Sequence, residues 1–98
     1  MANAYLVERY LPGLSESQVR AAVTRVADEC ERLSAAGEPV RYLGSTFLPG
    51  EEACLCRFEA DDPDAITRAS ERAGLPWARI TPAATLPAPE RRSVTRIG

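Results

Sequence analysis

Two well-capped helical segments, each set between strand-like runs, constrain this chain more than any other feature. Val19, Ala22, Val23, Val26, Ala27, Cys30 and Leu33 recur at helical spacing and form one apolar stripe, which predicts a helix over 15–36. Ser15 with Gln18 is a capping box, and Gly37 is a stop signal. Asp62-Pro63 opens a second helix, with Asp as N-cap and Pro in its first turn. Ala65, Ile66, Ala69 and Ala73 give it a narrow apolar face; Gly74 ends it and Pro76 prevents its resumption. Around these helices, 4–10, 40–48 and 53–60 read as strands. A shorter one, 79–85, contains Pro82 and so belongs at an edge. Pro49-Gly50 suits a hairpin turn with positive φ at its third residue.

The order is βαββαβ. Short right-handed connections on one sheet give an α+β, ferredoxin-like sandwich: a four-stranded antiparallel sheet with two helices on one face. The other face is left bare. Strand 4–10 carries Tyr5 and Val7 on one side but Leu6 and Tyr10 on the other, and 53–60 alternates Cys54, Cys56 and Phe58 against Leu55, Arg57 and Glu59. A sheet face wetted by solvent should be polar. This one is mixed, which predicts a homodimer, of the dimeric α+β barrel type, that covers it, or a small-molecule ligand that lies on it.

At 98 residues the chain makes one domain, expected over 1–85, with a Pro- and Arg-containing tail over 86–98. A core this small gains from a partner subunit. No apolar run approaches the length of a membrane span, and the N-terminus lacks the plan of a signal peptide, so a cytoplasmic protein without membrane association is expected. The net charge of -2 offers no general attraction to nucleic acid. All 12 basic residues are Arg, which reads as the codon usage of a GC-rich bacterial genome. With no Lys and no His, Schiff-base chemistry and imidazole acid–base or ligand chemistry are excluded.

Leu6-Val7-Glu8-Arg9 followed by Leu11-Pro12-Gly13 resembles the opening of the DUF4242 family, small proteins that include a nickel-binding member. The resemblance continues through Val40-Arg41-Tyr42-Leu43, Cys56-Arg57-Phe58-Glu59-Ala60 and Arg72-Ala73-Gly74-Leu75-Pro76 to Arg79-Ile80, and spans roughly residues 4–82. It implies a ferredoxin-like fold, a dimer built sheet against sheet and, for at least one member, bound nickel. Members often carry His in the second helix, at a place aligned with Ala69; this chain has none, and nickel favours imidazole. Nickel as a cofactor therefore carries over poorly.

Four groups of residues have chemical potential. Glu8 and Arg57 fall in neighbouring central strands, with Glu59 beside Arg57. They read as a paired charge at an interface, or as a polar floor on which Glu8 orients a ligand and Arg57 holds an anionic or carbonyl oxygen. Tyr10, Tyr42 and Trp77 could line a pocket for a flat organic ligand, although such residues are more often core or interface anchors. Cys54 and Cys56 share one strand face about 7 Å apart, and Cys30 on the helix stripe packs toward them. Core packing is the ordinary role of such thiols, and metal or redox chemistry the rarer one. Arg91, Arg92 and Arg96 in the tail could grip phosphate but read as solvated charge. The expected ligand-binding set is thus Glu8, Tyr10, Tyr42, Arg57, Glu59 and Trp77. There is no Gly-rich phosphate loop, nucleophile elbow or metal-hydrolase motif. Two functions remain: a binding protein for a metal ion or small organic molecule, or a cofactor-independent isomerase or cyclase of secondary metabolism.

Overall fold

A computed structural model describes residues 2–91. Its elements run β1 (Asn3–Tyr10), α1 (Glu16–Ala35), β2 (Val40–Leu48), β3 (Ala53–Ala60), α2 (Pro63–Ala73) and β4 (Arg79–Ala83), the order expected from the sequence. The four strands form one antiparallel sheet in the order β2-β3-β1-β4. This is the ferredoxin-like arrangement. β4 stands at an edge, where Pro82 needs no ladder donor.

The caps are made as the sequence dictates. The Ser15 hydroxyl accepts from the Gln18 amide at 3.2 Å, and the Gln18 side chain accepts from the Ser15 amide at 2.8 Å. The Asp62 carboxylate accepts from the Asp64 amide at 2.8 Å, and Gly74 closes α2 in the left-handed conformation. The β2–β3 connection departs from the expected turn. Pro49–Glu51 form a turn of 3-10 helix, and the left-handed residue is Glu52, at φ 52°, rather than Gly50. Tertiary bonds hold it there. The Glu52 carbonyl accepts from the Leu11 amide at 2.7 Å, and its carboxylate from the Gly13 amide at 2.8 Å.

One face of the sheet builds the core. Tyr5 and Val7 of β1, Val40 of β2, and Cys54, Cys56 and Phe58 of β3 pack with Val19, Val26, Cys30 and Leu33 of α1 and Ala65, Ile66 and Ala69 of α2. The opposite face carries no helix. Among the described residues no helix is long and apolar enough to cross a membrane. Of the tail arginines, Arg92 and Arg96 lie outside the described residues.

Candidate functional site

Strand alternation and ladder register assign residues to the helix-free face. Leu6 and Glu8 of β1 stand opposite Arg57 and Leu55 of β3, and opposite Thr81 and Arg79 of β4. Tyr10 follows Glu8 on the same side, half exposed at 52%. On β2, Arg41 pairs with Glu59, and Gly44 with Arg57. A bulge at Leu43 separates these two pairs, and leaves Leu43 partly exposed beside Leu6 and Arg57. With Leu55 and Leu48, the face is a field of aliphatic side chains crossed by charges.

The charges are organised differently from the expected Glu8–Arg57 pair. β1 and β3 are adjacent, but the register sets Arg57 opposite Leu6, two positions off Glu8. The Glu8 carboxylate instead accepts from the Tyr10 hydroxyl at 2.7 Å and from Arg79 of β4 at 2.8 Å. The Tyr10 hydrogen bond, followed by Arg79, holds Glu8 below the usual carboxylate range, and the same bond pushes the Tyr10 phenol up. Arg41 donates to Glu59 at 3.1 Å. Arg57 has no carboxylate partner among the described residues. Its guanidinium lies over Gly44, where a Cβ would meet Nη2 at 2.6 Å. Beside it is a hollow of about 260 Å³, lined by Leu6, Leu43, Phe58, Ala83 and Thr85.

Glu8, Tyr10, Arg57 and Glu59 therefore share the helix-free face. Tyr42 and Trp77 do not join them. Tyr42 precedes the bulge and faces the helices, with its ring tilted on Phe58 at 5.4 Å and its hydroxyl 2.5 Å from Ser45. Burial pushes its phenol up. Trp77, between α2 and β4, packs against the core.

A second constellation lies on the helix side, where the expected thiols meet a residue that the sequence reading passed over. Arg9 is fully buried. Its guanidinium donates to Cys56 Sγ at 3.4 Å, Ser70 Oγ at 3.0 Å, Leu75 O at 3.4 Å and Pro76 O at 3.3 Å, and lies 6.0 Å from the Phe58 ring centroid. Period-two alternation was the available signal, since it places Arg9 on the same side as Tyr5 and Val7. Cys56 also receives the Ser45 hydroxyl at 3.0 Å and stands 3.8 Å from Cys54 Sγ. The Cys54 thiol, then the Ser45 hydroxyl and Arg9, hold Cys56 below the ordinary thiol range although burial acts the other way. Cys54 is pushed up, first by donating to Cys56 and then by burial. Cys30 is in the same core, its thiol pushed up to about 11 by burial. Among the described residues, no three His, Cys, Asp or Glu side chains converge as a metal-ligand group.

The chain belongs to the family of nickel responsive proteins described as SCO4226-like, whose model matches residues 5–82. Comparison with curated proteins gives no match. Among solved structures it is similar to the crystal structure of SCO4226 from Streptomyces coelicolor A3(2), with a TM-score of 0.70 and 18% identity, over 86% of this chain and 99% of that one. At that identity the likeness carries the fold.

Proposed function

We propose that this member of the SCO4226-like family is a cytoplasmic, non-enzymatic binding protein. It works as a homodimer, and its ligand is held on the helix-free face of the sheet. The observation that carries this reading is Arg57. It is a cation without a carboxylate partner among the described residues, at the edge of an apolar hollow, on a face where Leu6, Leu43, Leu48 and Leu55 gather. Apolar walls with one convergent polar group suit a small organic molecule bearing a carboxylate or carbonyl oxygen. The aliphatic surface around it suits a second copy of the chain, since a stable interface buries on the order of 1,600 Å² in total.

A small metal-associated protein is what the family description suggests. The residues present do not fit a resident nickel ion: the chain has no His, and no three ligand side chains converge among the described residues. The enzymatic alternative is less well supported. An isomerase or cyclase on this face would need Glu8 as its base, and a carboxylate held below its usual range by two donors is a weak one.

Light scattering at micromolar concentration tests the assembly: a dimer is expected, and Leu55→Asp should yield a folded monomer. A thermal-shift series with small alkyl and aryl carboxylates tests the ligand. A rise in melting temperature is expected for the wild type and not for Arg57→Gln. A stable wild-type monomer, or equal shifts in the two proteins, would overturn the reading.

A further inference from the structure

The cleft between α1 and β2 holds aromatic and hydroxyl groups that take no part in the Arg57 face. β2 is an outer strand of the sheet, and α1 covers its helix side only in part. Tyr42, Ser45 and Phe47 of β2 and Val23 of α1 are therefore only partly buried, whereas Cys54, Cys56 and Phe58 of β3 are sealed. Between the two elements runs a groove of about 460 Å³, with these four residues and Val19 in its walls. Small-molecule sites span about 300–1,000 Å³, with apolar walls and a few polar groups.

The hydroxyl protons decide what the polar groups can offer. Ser45 has one such proton and donates it to Cys56 Sγ at 3.0 Å. The 2.5 Å contact between Ser45 and Tyr42 is then a hydrogen bond that Tyr42 donates. Burial pushes the Tyr42 phenol up, which keeps that proton in place. Both protons are committed within the protein, so the two oxygens have only lone pairs left for a guest. At the mouth of the groove Arg20 donates to Glu16 at 2.8 Å, and this pair brings no net charge.

We propose that this groove is a second binding site, which takes a flat, uncharged aromatic molecule bearing one hydroxyl or N–H donor. The Tyr42 oxygen accepts from that donor. The rings of Tyr42 and Phe47 and the methyl groups of Val19 and Val23 form the apolar walls, and ring pairs in offset or edge-on contact add to the gain from burial. A carboxylate meets oxygens that have no proton to give it. An ammonium surrenders its hydration without meeting a net counter-charge. This preference is the opposite of that at Arg57, whose cation suits a carboxylate or carbonyl oxygen. The two sites lie on opposite sides of the sheet, and neither depends on the other. Ser45 is the positioning residue: by taking the Tyr42 proton it makes the phenol oxygen an acceptor.

The experiment compares 2-naphthol, its methyl ether and 2-naphthoate, which share one ring system and differ in the polar end. Each is titrated into the full chain and read from backbone amide NMR shifts. In the wild type, 2-naphthol should move the amides of 19–23 and 42–47 saturably. It should bind roughly 3–10-fold more tightly than the ether, the worth of one hydrogen bond. 2-Naphthoate should leave those amides in place. Arg57→Gln should not alter the 2-naphthol titration, which separates this groove from the helix-free face. In Ser45→Ala the Tyr42 proton is released, so the preference for the naphthol over the ether should vanish or invert while the ring system still binds. Should that variant not fold, the comparison of naphthol and ether in the wild type decides. No saturable shift at the groove, equal affinity for the two probes in the wild type, or an unchanged preference in folded Ser45→Ala would each overturn the proposal.

Discussion

The Glu8 carboxylate on β1 is bound at 2.8 Å by Arg79 of the edge strand β4, and not by Arg57 of the central strand β3. Tyr10, two residues along β1, completes the group by donating to the other carboxylate oxygen. The three side chains lie on the surface of the isolated chain. Their electrostatics therefore govern titration more than stability.

Replacing Glu8 by Gln should return the Tyr10 phenol toward its ordinary value. Tyr42, raised by burial rather than by Glu8, should stay where it is. Ultraviolet titration of the phenols reads both. The lowered Glu8 contributes stability above the unfolded carboxylate value, and that contribution is lost as pH falls through the lower folded one. The raised Tyr10 contributes below the unfolded phenol value, and its contribution is lost as pH rises through the higher folded one. Both effects should be small in the melting temperature. An unaltered Tyr10 titration in Glu8→Gln would mean that the bond is not made in solution.

Removing Arg9 should be far more damaging than removing any surface arginine. Arg9→Ala vacates a fully buried position and leaves Ser70, Cys56 and two carbonyls without their donor. A loss of about 3–5 kcal/mol is expected, a large part of the stability of a small domain. Urea denaturation should place Arg9→Ala well below Arg20→Ala, whose side chain sits in an exposed pair with Glu16. Comparable midpoints for the two variants would contradict the buried network.

Gly44 is required twice over. Its φ of 140° is unfavourable for any side chain, and a Cβ would strike the Arg57 guanidinium. Gly44→Ala should cost about 1–3 kcal/mol. Adding Arg57→Ala should recover only the steric part, leaving a residual loss from the backbone. Full recovery in the double variant would assign the whole cost to the guanidinium.

Calorimetric titration with nickel should give no tight, stoichiometric binding. The chain offers thiolates and carboxylates but no imidazole. A sharp one-to-one isotherm would bring Glu8 or the cysteines into contact with the metal and revise the site.

Much of the fold was legible because its signals are local. Ser15 with Gln18, Asp62 with Pro63, and Gly74 each satisfy orphan backbone groups within a few residues, so their meaning can be read without the rest of the molecule. Period-two alternation likewise sorted Leu6, Glu8 and Tyr10 from Tyr5 and Val7. The Glu8–Arg79 pairing was not legible, because ladder register depends on how whole strands align and not on the residues that meet. Nor was the side taken by Tyr42, since the bulge at Leu43 resets the alternation within β2.

The sequence by itself determined which segments become helix and strand, their order, and so the ferredoxin-like topology with one bare face. Those outcomes follow from short-range capping, periodicity and connection rules. Only the tertiary structure decided that Arg9 is buried with a sulfur as its one ionisable partner, that Glu52 rather than Gly50 adopts the left-handed turn, and that Arg57 faces an apolar hollow without a carboxylate. Each depends on groups far apart in the chain: β1 against α2, the hairpin tip against Leu11 and Gly13, β3 against the bulge of β2. Burial and pairing are properties of what the fold brings together, and a residue's type does not state its neighbours.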